Sequence, residues 1–415
     1  MSNILKVVDM VLKESQRIAH EKASFIGTTD RQYDASFKYD SRRGPQGQSL
    51  RIREPNQYTR RQGSRVMDVQ DQNESTQSIT LATQDGVDMR FNSAELIQSV
   101  NSGAAFDDLS KNYIEPAVST LISGIEADYL AYCTKATYNV AGTAGTAITS
   151  LAVPGAARAK LNQGLAPKDQ NRFIQMDSVT MGGLVNGVSG YFNPGTDLSK
   201  QYREGMIART AMADYYENER IWTMTNGSDV TCTMAAAAAV TDGGNVMTMA
   251  SLASAPAVGS VFTVPGVYSC HPETKQSLGS LQQFVVTNGT TTIQTVSPRI
   301  YLTGPRQNVC SSASAQLATT AFDGTGTVPV FVGAASTSYA QSLMYHKEAF
   351  QFVTADLPIM DDAHKCQTMT KDGLSLRVWM GSDIRNDELL LRLDILYGMA
   401  ALRPAWATRM IGAAS

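Results

Sequence analysis

The stretch RLDILYGMAALRPAWATR, residues 392–409, joins a strand pattern to an Arg-Pro pair near the end of the chain. Apolar residues alternate with other residues over Leu389–Leu396, which predicts a β-strand. A second alternating segment, Leu374–Met380, comes directly before it. We therefore predict that the last part of the chain contains two alternating strands, followed by Tyr397-Gly398 and then Arg403-Pro404.

The strongest helical pattern of the chain lies upstream, over residues 106–138. Apolar residues from Leu109 to Cys133 recur there at a spacing of 3.6, as on one face of a helix. Pro116 predicts either a kink or a position in the first turn. A continuous helix of this length would run roughly 50 Å, at about 1.5 Å per residue. A single globule rarely needs so long a helix.

Two shorter patterns precede this helix. Residues 75–92 alternate well and contain Asp85-Gly86, which predicts a hairpin that turns at this pair and has one buried face. Residues 4–19 carry an amphipathic helical stripe. That N-terminal helix either packs on its own domain or forms an arm that reaches a neighbouring molecule.

The middle of the chain changes character at residue 224. Residues 139–223 are typical of mixed α and β structure, with a helix at Ala156–Leu161, a strand at Phe173–Met176 and a loop-rich segment over residues 182–195. Residues 224–325 are rich in Thr, Ser, Ala, Val and Gly and contain several short strand patterns. These are Val246–Met249, Ser260–Val264, Gln283–Thr287 and Thr291–Val296. We predict an inserted all-β module of about a hundred residues there. Further strands are predicted at Pro329–Val332, Leu343–Tyr345 and Phe350–Val353.

A basic loop over residues 39–66 is the most unusual charge feature. Its arginines are Arg42, Arg43, Arg51, Arg53, Arg60, Arg61 and Arg65. Only Glu54 opposes them, so residues 42–65 carry +6, and a total of −3 leaves −9 for the rest of the chain. The segment is too polar to form its own core. It can contact an acidic face of another subunit, bind nucleic acid with Tyr39 and Tyr58 stacking on bases, or remain solvated.

Composition excludes several classes of protein. The 415 residues are 43% hydrophobic and only 18% charged, which suits a surface buried against copies of itself. The five cysteines are dispersed and odd in number, which indicates neither a disulfide framework nor a zinc site and favours a reducing compartment. We expect no signal peptide and no membrane span. The sequence shows no P-loop, dinucleotide-binding motif or nucleophile elbow. For Asp361, Asp362, His364 and Cys366, a solvated loop is favoured over metal ligation. We therefore predict no enzyme, no cofactor and no metal.

Three segments resemble the P22-type major capsid proteins of tailed bacteriophages. The first is the opening stretch, where Arg392, Tyr397-Gly398 and Arg403-Pro404 match the family pattern. The second is Tyr345-His346-Lys347-Glu348-Ala349-Phe350-Gln351-Phe352, and the third is Phe192-Asn193-Pro194 followed by Tyr202-Arg203-Glu204-Gly205-Met206-Ile207. With the β-rich insertion, their order and spacing extend the resemblance over nearly the whole chain.

The resemblance implies an α+β chain with the HK97-like capsid fold. Its parts would be an N-terminal arm at residues 1–37, an extended loop (the E-loop) at 38–74, a peripheral domain with a long spine helix at 75–138 and 373–397, an axial domain at 139–223, 326–372 and 398–415, and a small β-barrel insertion domain at 224–325. One segment departs from the family pattern. Met234–Ala250 is short and Ala-rich where the family has a long polar loop, so a latch between capsomers is in doubt.

The function implied is that of a major capsid protein that self-assembles into hexamers and pentamers of an icosahedral phage head. We expect a noncovalent shell that encloses double-stranded DNA without sequence-specific binding and takes part in procapsid maturation. Scaffolding protein and portal are the implied partners, and no membrane partner is expected. The protein would be made in the host cytoplasm and reside in the virion. We expect the seven loop arginines to make the contacts between subunits.

Two other classes stay open at this point. A secreted or surface-layer β-rich structural protein would need an export signal, which the sequence does not show. A cytosolic enzyme with a β insert would need a catalytic cluster, which the sequence does not show either.

Overall fold

The computed structural model describes most of the chain. The described residues are Lys13, Ser15, Arg17 and residues 23–32, 49–92, 113–188, 213–317, 328–359, 365–371 and 374–414, apart from 62, 64, 68, 72, 73, 236–239 and 251. Nearly all of the predicted N-terminal helix lies outside these residues, as do Arg42, Arg43 and the segment from Phe192 to Ile207.

Four helices and twenty strands are described. The helices are α1 (Ser24–Thr28), α2 (Glu115–Ala136), α3 (Ala152–Gln163) and α4 (Ser178–Val188). The strands are β1 (Ser49–Arg53), β2 (Thr76–Thr80), β3 (Thr83–Asn92), β4 (Val140–Ala141), β5 (Arg172–Met176), β6 (Asp214–Glu217), β7 (Thr223–Thr225), β8 (Thr233–Met234), β9 (Gly244–Ala250), β10 (Val261–Cys270), β11 (Ser277–Gly289), β12 (Ile293–Ile300), β13 (Val309–Cys310), β14 (Val330–Phe331), β15 (Ser338–His346), β16 (Phe350–Ala355), β17 (Lys365–Lys371), β18 (Leu374–Asp383), β19 (Glu388–Ala401) and β20 (Ala407–Ala414). The prediction of a mixed α and β chain is confirmed.

The chain divides into two compact units. The first contains residues 1–52, 76–129 and 350–400, and the second contains residues 53–75, 130–349 and 401–415. In the first unit, β16, β19, β18 and β17 pair in that order, and β3 pairs with β19. The antiparallel pairing of β18 with β19 places Val378 opposite Leu393, and both are fully buried. The two strands predicted at the end of the chain are therefore confirmed.

The predicted hairpin turn at Asp85-Gly86 is wrong. Strand β3 runs straight through this pair and lies antiparallel to β19, with Gly86 opposite Asp394. A Cβ at Gly86 would lie 2.6 Å from the Asp394 carboxylate and 2.7 Å from the Leu393 carbonyl oxygen. Glycine is needed here for close contact between strands, which a sequence pattern does not distinguish from a turn. The alternation itself is confirmed, since Val87, Met89 and Phe91 share a half-buried face.

Among the described residues, helix α2 is shorter than the helical pattern predicted over residues 106–138. Helix α2 spans about 33 Å at about 1.5 Å per residue, with Pro116 as its second residue, a position that needs no backbone N–H. Its predicted apolar stripe is buried, including Val118, Ile122 and Ile125. Residues 106–112 lie outside the described part of the chain.

A buried carboxylate fixes α1 against α2 in the first unit. Glu126 is fully buried and accepts hydrogen bonds from the Phe25 backbone N–H and the Ser24 hydroxyl. Carboxylates at the start of a helix satisfy its unpaired N–H groups. The Phe25 ring packs 4.9 Å from Tyr129, and Tyr129 packs 5.1 Å from Phe352. These ring contacts join distant segments of the chain and form part of the hydrophobic core of the first unit.

The second unit contains a six-stranded sheet in the order β4-β20-β15-β5-β6, with β7 also paired to β15. Helices α3 and α4 pack on it through Leu161 and Leu184, both fully buried. The loop predicted over residues 182–195 is wrong for its first part, because α4 continues to Val188. A Cβ on Gly187 would overlap the Thr149 carbonyl oxygen. The glycines that suggested a loop instead permit close packing of a helix.

The β-rich segment forms a seven-stranded sheet in the second unit. Strands β13, β10, β11, β12, β9 and β8 pair in that order, and β14 pairs with β10. The predicted strands are present, and the sheet encloses a core that includes Phe262, Phe284 and Phe331. The described pairings leave the two-residue strands β8 and β13 at the ends, so hydrogen bonds among described residues do not close a barrel.

Candidate functional site

The stretch 392–409 contains a buried charge at Asp394. Asp394 is fully buried and accepts hydrogen bonds from Arg377 Nη2 at 2.6 Å and from Arg392 Nε at 2.7 Å. Arg377 is itself buried, whereas Arg392 reaches solvent and also pairs with Asp88 at 3.6 Å. The hydrogen bond that Arg392 donates to Asp394, together with the negative charge of that carboxylate, raises the pKa of Arg392. Arg392 is therefore a structural residue that helps to hold β3 against β19.

Tyr397 and Gly398 fix the chain next to the basic loop. The Tyr397 hydroxyl donates a hydrogen bond to Asp85 Oδ2 at 2.7 Å, and burial with this contact raises its pKa. A Cβ on Gly398 would overlap the Thr80 carbonyl oxygen, so only glycine permits this approach. Because Thr80 ends β2 and Asp85 lies in β3, these contacts position the C-terminal arm of the loop.

Two of the segments that carry the family resemblance meet in the second unit. Arg403 Nη1 lies 2.9 Å from Glu348 Oε2, and its guanidinium group stacks 4.2 Å from the Trp406 ring. His346 packs edge-on against Trp406 and bonds to Asp169 at 3.0 Å. Arg403-Pro404 and the segment that begins at Tyr345 therefore form one cluster. Their separation in the chain concealed this contact from sequence reasoning.

Arg409, the last residue of the stretch 392–409, places a buried cation at the C-terminal end of α2. Arg409 is fully buried and donates to the carbonyl oxygens of Gly259 at 2.7 Å and Lys135 at 3.2 Å. Burial lowers the pKa of Arg409. The last carbonyl groups of a helix attract a cation. Arg409 thus joins the end of α2 to the segment that precedes β10 in the second unit.

The basic loop is part of a two-stranded ribbon, and hydrogen bonds also join the two arms of the segment beyond the paired strands. Strands β1 and β2 pair with each other, and the Glu54 N–H donates to the Ser75 carbonyl oxygen at 2.9 Å just beyond them. Farther out, Thr59 and Gln70 exchange two hydrogen bonds of 2.9 and 2.7 Å. Strand β1 therefore forms one arm of this ribbon. Residues 54–75, which we call the outer loop, are held at two points.

The predicted contact arginines are exposed where they are described. Arg51, Arg53, Arg60, Arg61 and Arg65 all lie on the surface. Arg53 is 77% exposed and pairs with Glu74 at 3.7 Å, a contact that contributes little in water. Arg42 and Arg43 lie outside the described residues.

Exposed apolar side chains accompany these arginines. Val66, Met67 and Val69 are 76–79% exposed, and Tyr58 is 55% exposed. Sequence reasoning missed these three apolar residues, although their occurrence within four positions of a polar loop is a usable signal. Arginine beside exposed apolar side chains is typical of a protein interface.

The short segment Met234–Ala250 has a carboxylate that bonds within its own sheet. Asp242, its one charged residue, accepts hydrogen bonds from the Leu302 N–H at 2.6 Å and the Thr303 hydroxyl at 3.4 Å. Its carboxylate therefore stabilises a turn of its own sheet.

No helix among the described residues is long and apolar enough to cross a membrane. Within the same part of the chain, no group of three or more His, Cys, Asp or Glu residues could hold a metal ion. Four residues were considered as metal ligands in the sequence. Cys366 lies on β17, and Asp361, Asp362 and His364 fall outside the described residues.

Comparison with known proteins gives one family match. A family model described as "P22 coat protein - gene protein 5" matches residues 200–412. These residues include the β-rich sheet, the cluster around Arg403 and the buried Asp394. No curated protein matches the chain.

Several solved phage structures are distantly similar. A structure from Mycobacterium phage Che8 is 10% identical, with a TM-score of 0.46, and the match covers 92% of this chain and 89% of that one. The capsid of the cyanophage P-SCSP1u is 13% identical, with a TM-score of 0.43, and coverage is 89% and 85%. The capsid of Ralstonia phage GP4 is 9% identical, with a TM-score of 0.44, and coverage is 95% and 90%.

Proposed function

This chain belongs to the P22 coat protein family and is a major capsid protein, and from that premise we propose that it builds a noncovalent icosahedral head from hexamers and pentamers around double-stranded DNA. A coat protein is a structural component of the virion, which removes the enzyme and surface-layer alternatives. The observation that carries the proposal is the family match over residues 200–412. We further propose synthesis in the host cytoplasm, with scaffolding protein and portal as partners.

In this proposal the parts of the chain have the roles that the HK97-like fold gives them. Helix α2 is the spine, and residues 38–74 are the E-loop. Residues 75–138 and 373–397 form the peripheral domain. The N-terminal arm, the axial domain and the insertion domain keep the ranges predicted from the sequence. The buried Asp394 supports this division, because it ties β3 to the strands of the peripheral domain.

The basic loop, together with the outer loop at its tip, makes the contacts between subunits. Its described arginines lie on the surface, and Val66, Met67 and Val69 are 76–79% exposed, so a neighbouring copy can bury both kinds of side chain in the shell. The −9 carried by the rest of each chain offers carboxylates to these cations. The same acidic balance leaves packaged DNA few strong attachment points. Many such contacts around one subunit add avidity to a weak individual contact.

Electron microscopy of the purified protein over a range of concentrations tests the proposed assembly. We expect closed shells or capsomer rings above a threshold concentration, because coat subunits associate cooperatively through repeated contacts. Light scattering on the same samples gives the threshold. A monodisperse monomer at high concentration, with and without added scaffolding protein, would contradict the proposal.

The boundaries of the insertion domain give a second prediction. Phe331 packs 5.3 Å from Phe262 in the sheet core but lies beyond residue 325. We expect a fragment of residues 224–334 to be β-rich and about 2 kcal/mol more stable than one of residues 224–325, the value for burying one large apolar side chain. Circular dichroism and urea unfolding of the two fragments measure the difference.

Phe331→Ala in the longer fragment is the matched control. It is expected to reduce the stability to that of the shorter fragment. A random-coil spectrum from both fragments would show that residues 224–334 do not fold as a domain.

A further inference from the structure

A rigid turn of the seven-stranded sheet carries Arg306. The turn, residues 301–308, is closed by Asn308, whose side chain accepts from the Tyr301 N–H at 3.0 Å and donates to the Arg299 carbonyl oxygen at 2.6 Å. The Asn308 N–H also donates to the Tyr301 carbonyl oxygen at 3.2 Å. The turn is therefore held by hydrogen bonds that do not involve the Arg306 side chain.

The Arg306 side chain reaches the base of the outer loop. Its Nη2 lies 3.3 Å from Glu54 Oε2 and also donates to the Ser75 hydroxyl. Its Nη1 donates to the Tyr301 hydroxyl at 3.2 Å, and the guanidinium group lies 5.7 Å from the centre of that ring. The Arg306 and Glu54 side chains are only 22% and 34% exposed. Partial burial and several donors make this pair stronger than an ordinary surface ion pair.

The contact of Arg306 with Glu54 and Ser75 lies at the base of the outer loop, where the two arms of the loop meet. Glu54 and Ser75 face each other across the two arms, and the Glu54 N–H donates to the Ser75 carbonyl oxygen. All described residues between them, including the exposed arginines and Val66, Met67 and Val69, extend from this base. Fixing the base therefore restricts the directions available to the whole outer loop.

We propose that Arg306 is a positioning residue for assembly, which pairs with Glu54 and Ser75 to orient the outer loop before it meets a neighbouring subunit. The inference rests on the proposed role of the loop in subunit contacts. A segment that is ordered before binding loses less conformational entropy on binding. The seven-stranded sheet thus acts in assembly through the outer loop.

The test compares Arg306→Gln with Arg299→Gln, an exposed arginine on the same sheet whose Nη1 lies 3.5 Å from the Gly243 carbonyl oxygen. In the monomer below the assembly threshold, hydrogen exchange at the Glu54 amide is expected to accelerate about tenfold in R306Q, since opening of the base becomes easier. The threshold concentration for shells is expected to rise about tenfold. R299Q is expected to change neither quantity.

The double variant Arg306→Glu with Glu54→Arg exchanges the two charges. It tests whether the effect of Arg306 comes from its ion pair with Glu54 or only from the packing of its side chain. It is expected to recover most of the amide protection and of the assembly that Arg306→Glu alone loses. Unchanged exchange at Glu54 in R306Q, or an equal effect of R299Q, overturns the proposal.

A further outcome distinguishes this inference from the proposed function. If R306Q accelerates exchange at Glu54 but shells form at the wild-type concentration, the contact exists and its role in assembly is refuted. The loop arginines then decide whether the loop contacts neighbours at all. If exchange is unchanged while arginine reversal blocks assembly, the contact at Arg306 is refuted and the loop's role stands.

Discussion

Reversing the charge of Arg51, Arg53, Arg60 and Arg61 to glutamate is expected to leave a folded monomer that does not form shells. The four side chains lie on the surface, so the substitutions remove little packing. They change the net charge of residues 42–65 from +6 to −2. The loop would then repel the acidic surface that the proposal makes its partner. Like charges placed together at an interface cost several kcal/mol, so the assembly threshold should rise at least ~100-fold.

The matched control replaces the same four residues with lysine. Lysine keeps the charge but lacks the planar fork that binds carboxylates with two hydrogen bonds. We expect the lysine variant to assemble with a moderately raised threshold, and with a stronger dependence on salt. Size-exclusion chromatography and circular dichroism establish that both variants are folded, and electron microscopy establishes whether shells form.

Two results would contradict this prediction. Normal shells from the glutamate variant would show that the loop cations are dispensable. Equal failure of the lysine and glutamate variants would show that arginine geometry, rather than charge, determines the contact.

The local patterns predicted elements well where one face of a strand or helix is buried. The helical stripe of α2 follows directly from burial on one side, so it appears in the sequence. The alternation in Leu374–Met380 appears for another reason: both faces of this strand are buried, but Ser375 and Arg377 on the second face are polar. Glycine caused both errors of secondary structure. At Gly86 and Gly187 the absence of a Cβ permits close approach of another backbone, a property that depends on a distant segment. A sequence pattern contains no information on that distant partner.

Of the candidate site, the sequence predicted only the cluster of arginines in the basic loop. The arginines of the loop are visible as an excess of one residue type in a polar segment. Arg306 is 252 residues from Glu54 in the chain, and no local pattern connects them. The roles of Arg392 and Tyr397 could not be derived either, since both depend on partners brought near by the pairing of β3 with β19. Residues recognised by resemblance therefore proved to be structural anchors.

Replacing Asp394 with alanine is expected to destabilise the first unit by about 3–5 kcal/mol, because it leaves a buried arginine without its carboxylate. Arg377 is 5% exposed, and its Nη2 contacts Asp394 Oδ2 at 2.6 Å. Arg377 Nη1 also donates to the Pro358 carbonyl oxygen at 3.1 Å, which cannot neutralise the charge. A loss of this size is a large part of the stability of an ordinary domain.

Trp379 provides a local probe for this loss. The chain has only three tryptophans, and Trp379 lies beside Arg377, with the guanidinium group 5.4 Å from the ring centre. In a background with Trp222→Phe and Trp406→Phe, urea unfolding followed by fluorescence reports on the first unit. Asp88→Ala is the matched control, because Asp88 contacts Arg392 at 3.6 Å and is 75% exposed. We expect it to change the stability by no more than about 0.5 kcal/mol.

A double variant separates the uncompensated charge from the cavity that a smaller side chain leaves. If the charge of Arg377 dominates, Asp394→Ala combined with Arg377→Met should be more stable than Asp394→Ala alone, because no buried cation remains. If the cavity dominates, the second substitution brings no recovery. Equal stability of the Asp394→Ala and Asp88→Ala variants would contradict the prediction altogether. It would mean that strand pairing, rather than this carboxylate, holds β3, β18 and β19 together.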